Sequence, residues 1–440
     1  MNSSAAIAAA LGAFVQQGGT PGCVAILITP AGSETIRLGR VAADDAWVPD
    51  ERTRFGVASV TKLFTGILFA DLLREGRVRL DDPASRWLPR ALPRYWATEI
   101  ALRHLTTHTS ALPVGAPGTS VLGGRLWTSP RVWRIAFRRW VLRQGSGPLA
   151  GVTTDDLLAW LADYTLPRAP GAQREYSNIG FGLLGEALGK ADGRGYEAAL
   201  RARVIAPLGL RDTVYTRTPG APALHELALG PLGGAGGLIS TAADLAVLAR
   251  AVLGASPRPL AESIAMTLSP VGDVAGSPVH LAWAHEAKTG RLYHTGMSHA
   301  FLGVDLKRKV AAVVLLVGSL DENEELGLAV LDRVAGGNRA FPTPRVVVEL
   351  SAAALARYSG TWRLDAESSV VLTATDKGLK AQFMKGGKPG GAADLWPSSE
   401  HSFFCKEWDC RWDFEPAAAG VPTAARVRMY AFDGTYRRVQ

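Results

Sequence analysis

Several features are scarce or missing in this 440-residue chain, and each excludes a class of protein. With only three cysteines, a disulfide framework is not expected, although Cys405 and Cys410 could pair if a hairpin brought them together. No run of about 18 apolar residues occurs, so a transmembrane helix is excluded. The first basic residue is Arg37, so the alanine-rich segment 1–15 lacks the positive charge of a secretory signal. We expect a cytoplasmic protein, or a periplasmic or secreted one if the chain is a trimmed mature form.

Motifs of cofactor-dependent enzymes are also missing. The glycine cluster at 233–237 fits neither a phosphate loop nor a dinucleotide fingerprint, and close packing before the next helix explains it better. His104 and His108 have the i, i+4 spacing of a metal pair, but no carboxylate or cysteine follows at ligand spacing. No Gly-x-Ser-x-Gly sequence occurs, which excludes an α/β-hydrolase. We expect neither a cofactor nor a metal ion.

No acidic residue lies between residues 115 and 151, although the whole chain has a net charge of only +8. Within this segment, residues 125–143 predict a basic amphipathic helix, because aromatic residues recur at helical spacing among arginines. Such a helix could present a solvated basic face, cover an active site as a lid, or contact a membrane surface. It could also bind an acidic carrier protein through Arg131, Arg134, Arg138 and Arg139. Nucleic acid is not expected, because the rest of the chain is nearly charge-balanced.

The hydrophobic pattern changes after residue 340 and divides the chain into two predicted domains. Residues 1–340 combine strand and helix patterns, which predicts an α/β unit with a helix-rich middle. Residues 350–440 consist of short alternating stretches, which predict a small antiparallel β domain, either a barrel or a sandwich. The glycine- and proline-rich segment 336–344 is typical of a linker.

The sequence Ser59-Val60-Thr61-Lys62 is the one place where a lysine follows a serine by three residues. It precedes an apolar stretch, 63–73, that predicts a buried helix. Residues i and i+3 share a helix face, so the Lys62 amine can reach the Ser59 hydroxyl. A desolvated lysine with a lowered pKa can take the serine proton and activate the oxygen as a nucleophile. An N-cap serine beside an unrelated lysine is the alternative interpretation.

The second motif is Tyr176-Ser177-Asn178. A buried phenol near a lysine could exist partly as phenolate and relay protons. The amide of Asn178 could orient both the base and the substrate. An isolated Tyr-x-Asn triplet is more often a turn before a helix.

The third motif is His294-Thr295-Gly296. A strand edge with an imidazole, a hydroxyl and a glycine can line a substrate groove, because the glycine lets a substrate backbone approach closely. The rival Lys288-Thr289-Gly290 is expected at the turn of a hairpin over 286–293, where it cannot face a buried serine. We therefore favour His294.

Taken in order, the three motifs resemble the serine β-lactamase and penicillin-binding-protein superfamily. The tyrosine in the second motif is similar to the branch with class C β-lactamases, D-alanyl-D-alanine carboxypeptidases, D-aminopeptidases and related esterases. The resemblance covers residues from about 5 to 335. It implies an antiparallel sheet flanked by helices, with a helical subdomain. The segment 358–362 resembles the start of the lipocalin-like domain that follows the catalytic domain in several members.

The resemblance also implies a role for each motif residue. Ser59 would be the acylated nucleophile, Lys62 and Tyr176 would share the acid–base work, and Asn178 would orient them. His294 stands where class C β-lactamases have lysine, which argues against an efficient β-lactamase. The residues expected to line the substrate groove beside His294 are Thr295, Gly296 and Met297. The backbone N–H groups of Ser59 and Met297 would form the oxyanion hole.

The sequence therefore predicts a serine hydrolase or acyltransferase acting on D-amino-acid-containing peptides or on esters. The departures from the family pattern, Ala111 and Ala300 in place of glycines, lie near the groove and leave the substrate open. One alternative is a thioesterase of the penicillin-binding-protein type that cyclises nonribosomal peptides in trans. The others are a class C-like β-lactamase and an inactive peptide-binding module.

Overall fold

The computed structural model describes most of the chain, and the ranges are 3–16, 20–41, 47–115, 152–215, 223–225, 229–297, 299–318, 322–343, 346–405, 410–416, 420–429 and 432–439. The predicted basic helix over 125–143 and its four carrier-binding arginines lie outside these ranges. Both therefore stay predictions. Within the described ranges, no helix is long and apolar enough to cross a membrane.

A six-stranded antiparallel sheet forms the centre of the first part, in the order β2-β1-β11-β10-β9-β8. A three-stranded sheet, β3-β5-β4, and the pair β6-β7 lie outside that sheet. The strands of this part are β1 Gly22–Thr29, β2 Gly32–Gly39, β3 Phe55–Gly56, β4 Val214–Tyr215, β5 Leu238–Ser240, β6 Gly272–Val274, β7 Ser277–Val279, β8 Ala284–Glu286, β9 Arg291–Gly296, β10 Ala300–Asp305 and β11 Val310–Leu316.

Helices cover both faces of this sheet. The α-helices are α1 Ser3–Gln16, α2 Thr61–Arg74, α3 Leu102–Thr106, α4 Thr154–Leu161, α5 Asn178–Asp192, α6 Tyr196–Leu200, α7 Ala206–Leu208, α8 Gly233–Gly236, α9 Ala242–Arg250, α10 Arg258–Leu268, α11 Asn323–Val334 and α12 Ala352–Ala356. Shorter or wider helical turns occur at Ala58–Val60, Ala84–Arg86, Arg201–Ile205, Gly230–Leu232 and Ala251–Ala255.

Strand β1 shows why the central strands are apolar throughout. Successive side chains of a strand point to opposite faces, and in β1 both faces are buried. Val24, Ile26 and Ile28 pack into the core that contains α2 and α9. Cys23, Ala25 and Leu27 pack on the other side against α1 and α11. The sheet is thus the middle layer of three, and α2 with the preceding turn rests on one of its faces.

The C-terminal part is a closed barrel of eight strands in sequence order. The strands are β12 Gly360–Arg363, β13 Ser368–Ala374, β14 Leu379–Lys385, β15 Lys388–Pro397, β16 Ser402–Cys405, β17 Cys410–Phe414, β18 Ala424–Met429 and β19 Phe432–Arg438. The barrel closes where β12 pairs with β19, at Trp362 and Arg438. Large side chains fill its interior, among them Trp362, Trp412 and Phe403. The predicted small all-β domain is confirmed, and it is a barrel rather than a sandwich.

Two finer expectations about this part have different outcomes. Cys405 and Cys410 lie buried at the ends of the paired strands β16 and β17, but no disulfide joins them. A disulfide also needs specific distances and torsion angles at its two sulfur atoms, so paired strand ends alone do not produce one. The domain boundaries at 340 and 350 stay a prediction.

Candidate active site

Ser59 lies in a sharp turn between β3 and α2. The turn Ala58–Val60 leads directly into the helix, and Ala58 has a φ of 43°. A positive φ is costly for alanine and persists only where the surrounding structure enforces it. Here β3 pairs with β5, and the N–H of Val57 donates to the carbonyl of Leu238 at 2.9 Å. The constraint presents the half-buried Ser59 at the start of the helix, as the sequence predicts.

Lys62 is fully buried, and its amine has three close partners. Nζ lies 2.9 Å from Ser59 Oγ, 2.8 Å from Asn178 Oδ1 and 2.6 Å from the Ala235 carbonyl oxygen. The amide and carbonyl oxygens can only accept hydrogen bonds. A neutral amine has two N–H groups for those two oxygens, and its lone pair is then left for the hydroxyl proton of Ser59. The same three oxygens could also accept the three N–H groups of an ammonium, so the contacts match either charge state and burial decides between them.

The protonation state follows from burial. Burial lowers the pKa of Lys62 well below its ordinary range, because removing the ammonium from water penalises the charged form. The described residues include no carboxylate among the hydrogen-bond partners of Nζ that would restore the charge. The amine is therefore neutral under conditions in which a surface lysine is protonated.

Tyr176 approaches Ser59 from the other side. Its hydroxyl donates to Ser59 Oγ at 2.7 Å, so Ser59 can accept from the phenol and donate to the amine at the same time. Burial raises the pKa of Tyr176, with partial compensation from the Ser59 hydrogen bond. The expectation of a partial phenolate is therefore wrong. The phenol keeps its proton and is placed as a proton donor.

Asn178 is the first residue of α5, and its position depends on how that helix starts. The Ser177 side chain accepts from the N–H of Gly180 at 2.9 Å and so caps the helix. His108 accepts from the N–H of Ser177 at 3.1 Å, and its ring packs on Tyr176 with centroids 4.4 Å apart. His108 thus fixes the second motif from behind.

The glycine-rich segment before β5 holds the third partner of Lys62. An added Cβ at Gly233 would lie 1.4 Å from the hydroxyl oxygen of Tyr215, so a larger residue would displace that side chain, and one at Gly234 would lie 2.6 Å from the Phe181 carbonyl oxygen. The close-packing interpretation of this cluster is confirmed. Thr65 on α2 donates to the carbonyl of Gly234 at 2.8 Å. The next carbonyl along the chain, that of Ala235, accepts from Lys62. Helix α2 and this segment are therefore bound together through consecutive carbonyls.

The third motif occupies the end of β9. His294 is buried, and its Nδ1–H donates to the Thr295 carbonyl at 2.8 Å. Burial lowers the pKa of His294 to about 3, so the imidazole is neutral. Strand β8 pairs with β9 only as far as Tyr293, whereas β10 pairs through Gly296. In the described sheet, residues 294–296 therefore have no strand partner on the side of β9 that faces β8. An extended substrate can pair with this edge.

Gly296 brings this strand against the nucleophile turn. An added Cβ would lie 2.2 Å from the Val57 carbonyl oxygen and 3.0 Å from the Ala300 side chain. No larger residue fits without moving β9 away from Ser59. The glycine therefore serves close approach within the protein, in addition to the predicted approach of a substrate.

Met297 follows in a turn with a φ of 46° and is 45% exposed. Two side chains hold this turn. The Nε2–H of His299 donates to the Gly56 carbonyl at 2.6 Å, and the Asn323 amide donates to the Ala300 carbonyl at 2.9 Å. His299 thus ties the Met297 turn to the strand that leads to Ser59. The oxyanion hole formed by the backbone N–H groups of Ser59 and Met297 stays a prediction. The hydrogen bond from His299 to Gly56 would set the distance between these two N–H groups.

The rival lysine lies outside this cluster, and the two histidines considered as a metal pair contact backbone groups. Lys288 is exposed in the turn between β8 and β9, as the hairpin prediction requires. His104 Nδ1 accepts from the N–H of Ala101 at 3.0 Å, so both histidines of the considered metal pair hold backbone groups. Sequence reasoning missed His108, His299 and the Ala235 carbonyl as parts of the site. Their roles arise from long-range contacts that spacing does not encode.

The family model described as Beta-lactamase matches residues 7–335. AmpH of Escherichia coli K12, a D-alanyl-D-alanine-carboxypeptidase/endopeptidase, is 36% identical over 165 residues, which are 37% of each protein. Esterase EstB of Burkholderia gladioli is 32% identical over 166 residues, 37% of this chain and 38% of the esterase. The chain thus spans less than two fifths of the length of these two curated relatives.

Among solved structures, the octameric penicillin-binding protein homologue of Pyrococcus abyssi has a TM-score of 0.59 and 16% identity. The match covers 99% of this chain and all of that one, so the shared fold includes the C-terminal part. At this identity the likeness concerns the fold alone.

Proposed function

This chain belongs to the Beta-lactamase family, and we propose that it is a serine hydrolase that cleaves D-amino-acid-containing peptides or small esters through an acyl intermediate on Ser59. The observation that carries the proposal is the position of Ser59 Oγ between a neutral amine and a protonated phenol. Such an arrangement provides a base for the first proton transfer and an acid for the second.

In the acylation step, Ser59 Oγ attacks the substrate carbonyl carbon while its proton passes to Lys62 Nζ. The bond from the carbonyl carbon to the leaving nitrogen or oxygen then breaks. Tyr176 donates its proton to the leaving group. Lys62 then passes the proton that it took from Ser59 to the Tyr176 oxygen, so that both side chains are neutral again. Water then attacks the acyl carbon and gives up a proton to the same pair. The bond from that carbon to Ser59 Oγ breaks, and the pair returns the proton to Ser59 Oγ.

Asn178 and the Ala235 carbonyl hold the Lys62 amine during these steps. By accepting the two N–H groups, they direct the remaining lone pair at Ser59. Orientation of this kind contributes to rate because the reacting atoms are already in contact before the reaction starts.

The substrate class is supported by the relatives and by the groove. AmpH is a D-alanyl-D-alanine carboxypeptidase, and EstB is an esterase. The free edge of β9 can pair with a short extended peptide. The neutral His294 argues against an efficient β-lactamase, because no imidazolium is present there to hold a drug carboxylate.

A turnover panel tests the proposal. We expect release of D-alanine from an acyl-D-Ala-D-Ala peptide, at least about 100-fold faster than hydrolysis of the matched L-Ala-L-Ala peptide, as a site shaped for one stereochemistry should show. Hydrolysis of p-nitrophenyl butyrate alone would move the assignment to an esterase. Cyclic product from a peptidyl thioester would favour the cyclase alternative. No turnover of any substrate would contradict the proposal.

A further inference from the structure

Two histidines outside the three motifs stack on each other beside the nucleophile turn. The rings of His225 and His299 have centroids 4.0 Å apart and planes inclined by only 17°. Burial lowers the pKa of both imidazoles, that of His299 to about 3, so both rings are neutral and stack without charge repulsion. Neither ring takes part in the proton transfers at Ser59, so the pair needs an explanation of its own.

Each ring holds a backbone carbonyl through its Nε2–H. His299 donates to Gly56 at 2.6 Å, and His225 donates to Val317, the residue after β11, at 2.8 Å. A carbonyl oxygen only accepts hydrogen bonds, so both neutral rings carry their proton on Nε2. The backbone carbonyl of His299 accepts from the N–H of Leu316 at 2.8 Å. The pair thus fastens the end of β3 to the end of β11.

Gly56 is held on both sides by this arrangement. Its N–H donates to the carbonyl of Leu224 at 2.7 Å, and its own carbonyl accepts from His299. Leu224 directly precedes His225, whose φ of 60° is costly for histidine and persists only where the surrounding structure enforces it. The contacts therefore form a closed loop from β3 through His225 and His299 back to β3. Because the stack fixes the plane of the His299 ring, it also fixes the direction of the hydrogen bond to Gly56.

This loop of contacts spans the two sides of the active site. Gly56 lies three residues before Ser59, and His299 lies two residues after Met297. The end of β9 packs against the same stretch of chain, since an added Cβ at Gly296 would lie 2.2 Å from the carbonyl oxygen of the residue after Gly56. A shift of the His299 ring therefore moves the Met297 turn and the free edge of β9 relative to Ser59 Oγ.

We propose that His225 is a positioning residue for acylation, which acts by holding the ring of His299 and thereby the Met297 turn. The inference rests on the proposed function, because it concerns the geometry around the same serine. An interaction made only in the transition state raises the rate without strengthening substrate binding. The predicted oxyanion contact of the Met297 N–H is of this kind. Loss of the His225 ring should therefore lower the acylation rate and leave substrate affinity nearly unchanged.

Two replacements separate the ring of His225 from its hydrogen bond. His225→Phe keeps a flat ring on His299 and loses the donor to Val317, whereas His225→Gln keeps an N–H donor and loses the ring. Stopped-flow bursts with p-nitrophenyl butyrate give the acylation rate constant and the ester concentration for half saturation. We expect a rate constant within about threefold of the wild type for His225→Phe and about 10- to 100-fold lower for His225→Gln, since a misplacement of about 1 Å can cost about 100-fold. Half saturation should stay within about twofold in both.

A double-mutant cycle tests whether His225 acts through His299. His299→Leu removes the donor to Gly56 and should itself lower the rate constant about 10- to 100-fold, and His299→Gln, which keeps an N–H donor, should recover part of it. In the His299→Leu background, His225→Gln should change the rate constant less than about threefold, because the bond that it supports is already gone. A ring that served only folding stability would lower the melting temperature without this coupling.

His401→Phe is the matched control, since it removes a half-buried histidine that contacts the Tyr358 hydroxyl at 3.2 Å in the C-terminal barrel. Its rate constant should equal that of the wild type. Melting curves accompany every variant, rates are expressed per folded protein, and His225→Leu takes the place of His225→Gln if the latter does not fold. A wild-type rate without the ring, an equal loss in His225→Phe, or additive losses in the cycle would overturn the inference. No burst from the wild type would instead contradict the proposed function.

Discussion

Replacing Lys62 with methionine is expected to lower the rate of Ser59 acylation by about 1,000-fold or more. Methionine has a similar volume and fills the buried position, but it has no lone pair able to take the serine proton. Stopped-flow acylation with p-nitrophenyl butyrate measures the effect. The matched control is Lys190→Met, which removes an exposed lysine from α5, the helix that carries Asn178. Acylation of Lys62→Met at a rate within tenfold of the wild type would contradict the role of the amine.

The pH dependence of the wild type gives a second readout of the same group. Protonation of Lys62 removes the lone pair, so the acylation rate should fall as the pH is lowered through the pKa of the amine. Burial lowers that pKa well below its ordinary range, which leaves the amine neutral where surface lysines are charged. Burial also lowers the pKa of His294 to about 3 and that of His108 well below its ordinary value. A decrease in the acylation rate near neutral pH would therefore not come from protonation of either histidine. The residual activity of Lys62→Met should not show this decrease.

Replacing Tyr176 with phenylalanine is expected to lower peptide cleavage by about 100- to 10,000-fold, the range for loss of a general acid or base. Phenylalanine keeps the ring that packs on His108 and removes only the hydroxyl. The loss should depend on the leaving group. A peptide amine must receive a proton to depart, whereas p-nitrophenolate leaves without one. We therefore expect a loss at least about tenfold smaller for p-nitrophenyl butyrate than for the peptide.

The comparison needs a control for general damage. Tyr95→Phe removes a phenol from the turn that carries the exposed Trp96, far in sequence from the motifs, and should leave both rates at wild-type levels. Equal losses on peptide and ester in Tyr176→Phe would contradict its assignment as proton donor to the leaving group. They would instead indicate that the hydroxyl mainly positions Ser59.

The sequence predicted best where local spacing controls geometry. The contact between Ser59 and Lys62, three residues apart, requires only a helical turn there. The apolar stretch that follows them forms helix α2. The rejection of Lys288 depended on recognising a hairpin turn, which is also local. The packing of β1 into two cores shows why this strand is apolar throughout.

Prediction failed or stopped where the outcome depends on three-dimensional burial and distant contacts. The charge state of Tyr176 depends on how completely the phenol is removed from water, and this cannot be judged from its neighbours in sequence. Closure of the barrel depends on β12 meeting β19, about 75 residues later along the chain. The positions of His108 and His299 behind the motifs likewise arise from hydrogen bonds to backbone groups far away in sequence.

The most direct test of the account is intact-protein mass spectrometry after incubation with benzylpenicillin, on the wild type and Ser59→Ala together, followed by peptide mapping. The account predicts that the wild type gains the mass of one penicillin, that the adduct maps to Ser59, and that Ser59→Ala gains none. An adduct on Ser59→Ala, an adduct on another residue, or an unmodified wild-type protein would contradict it.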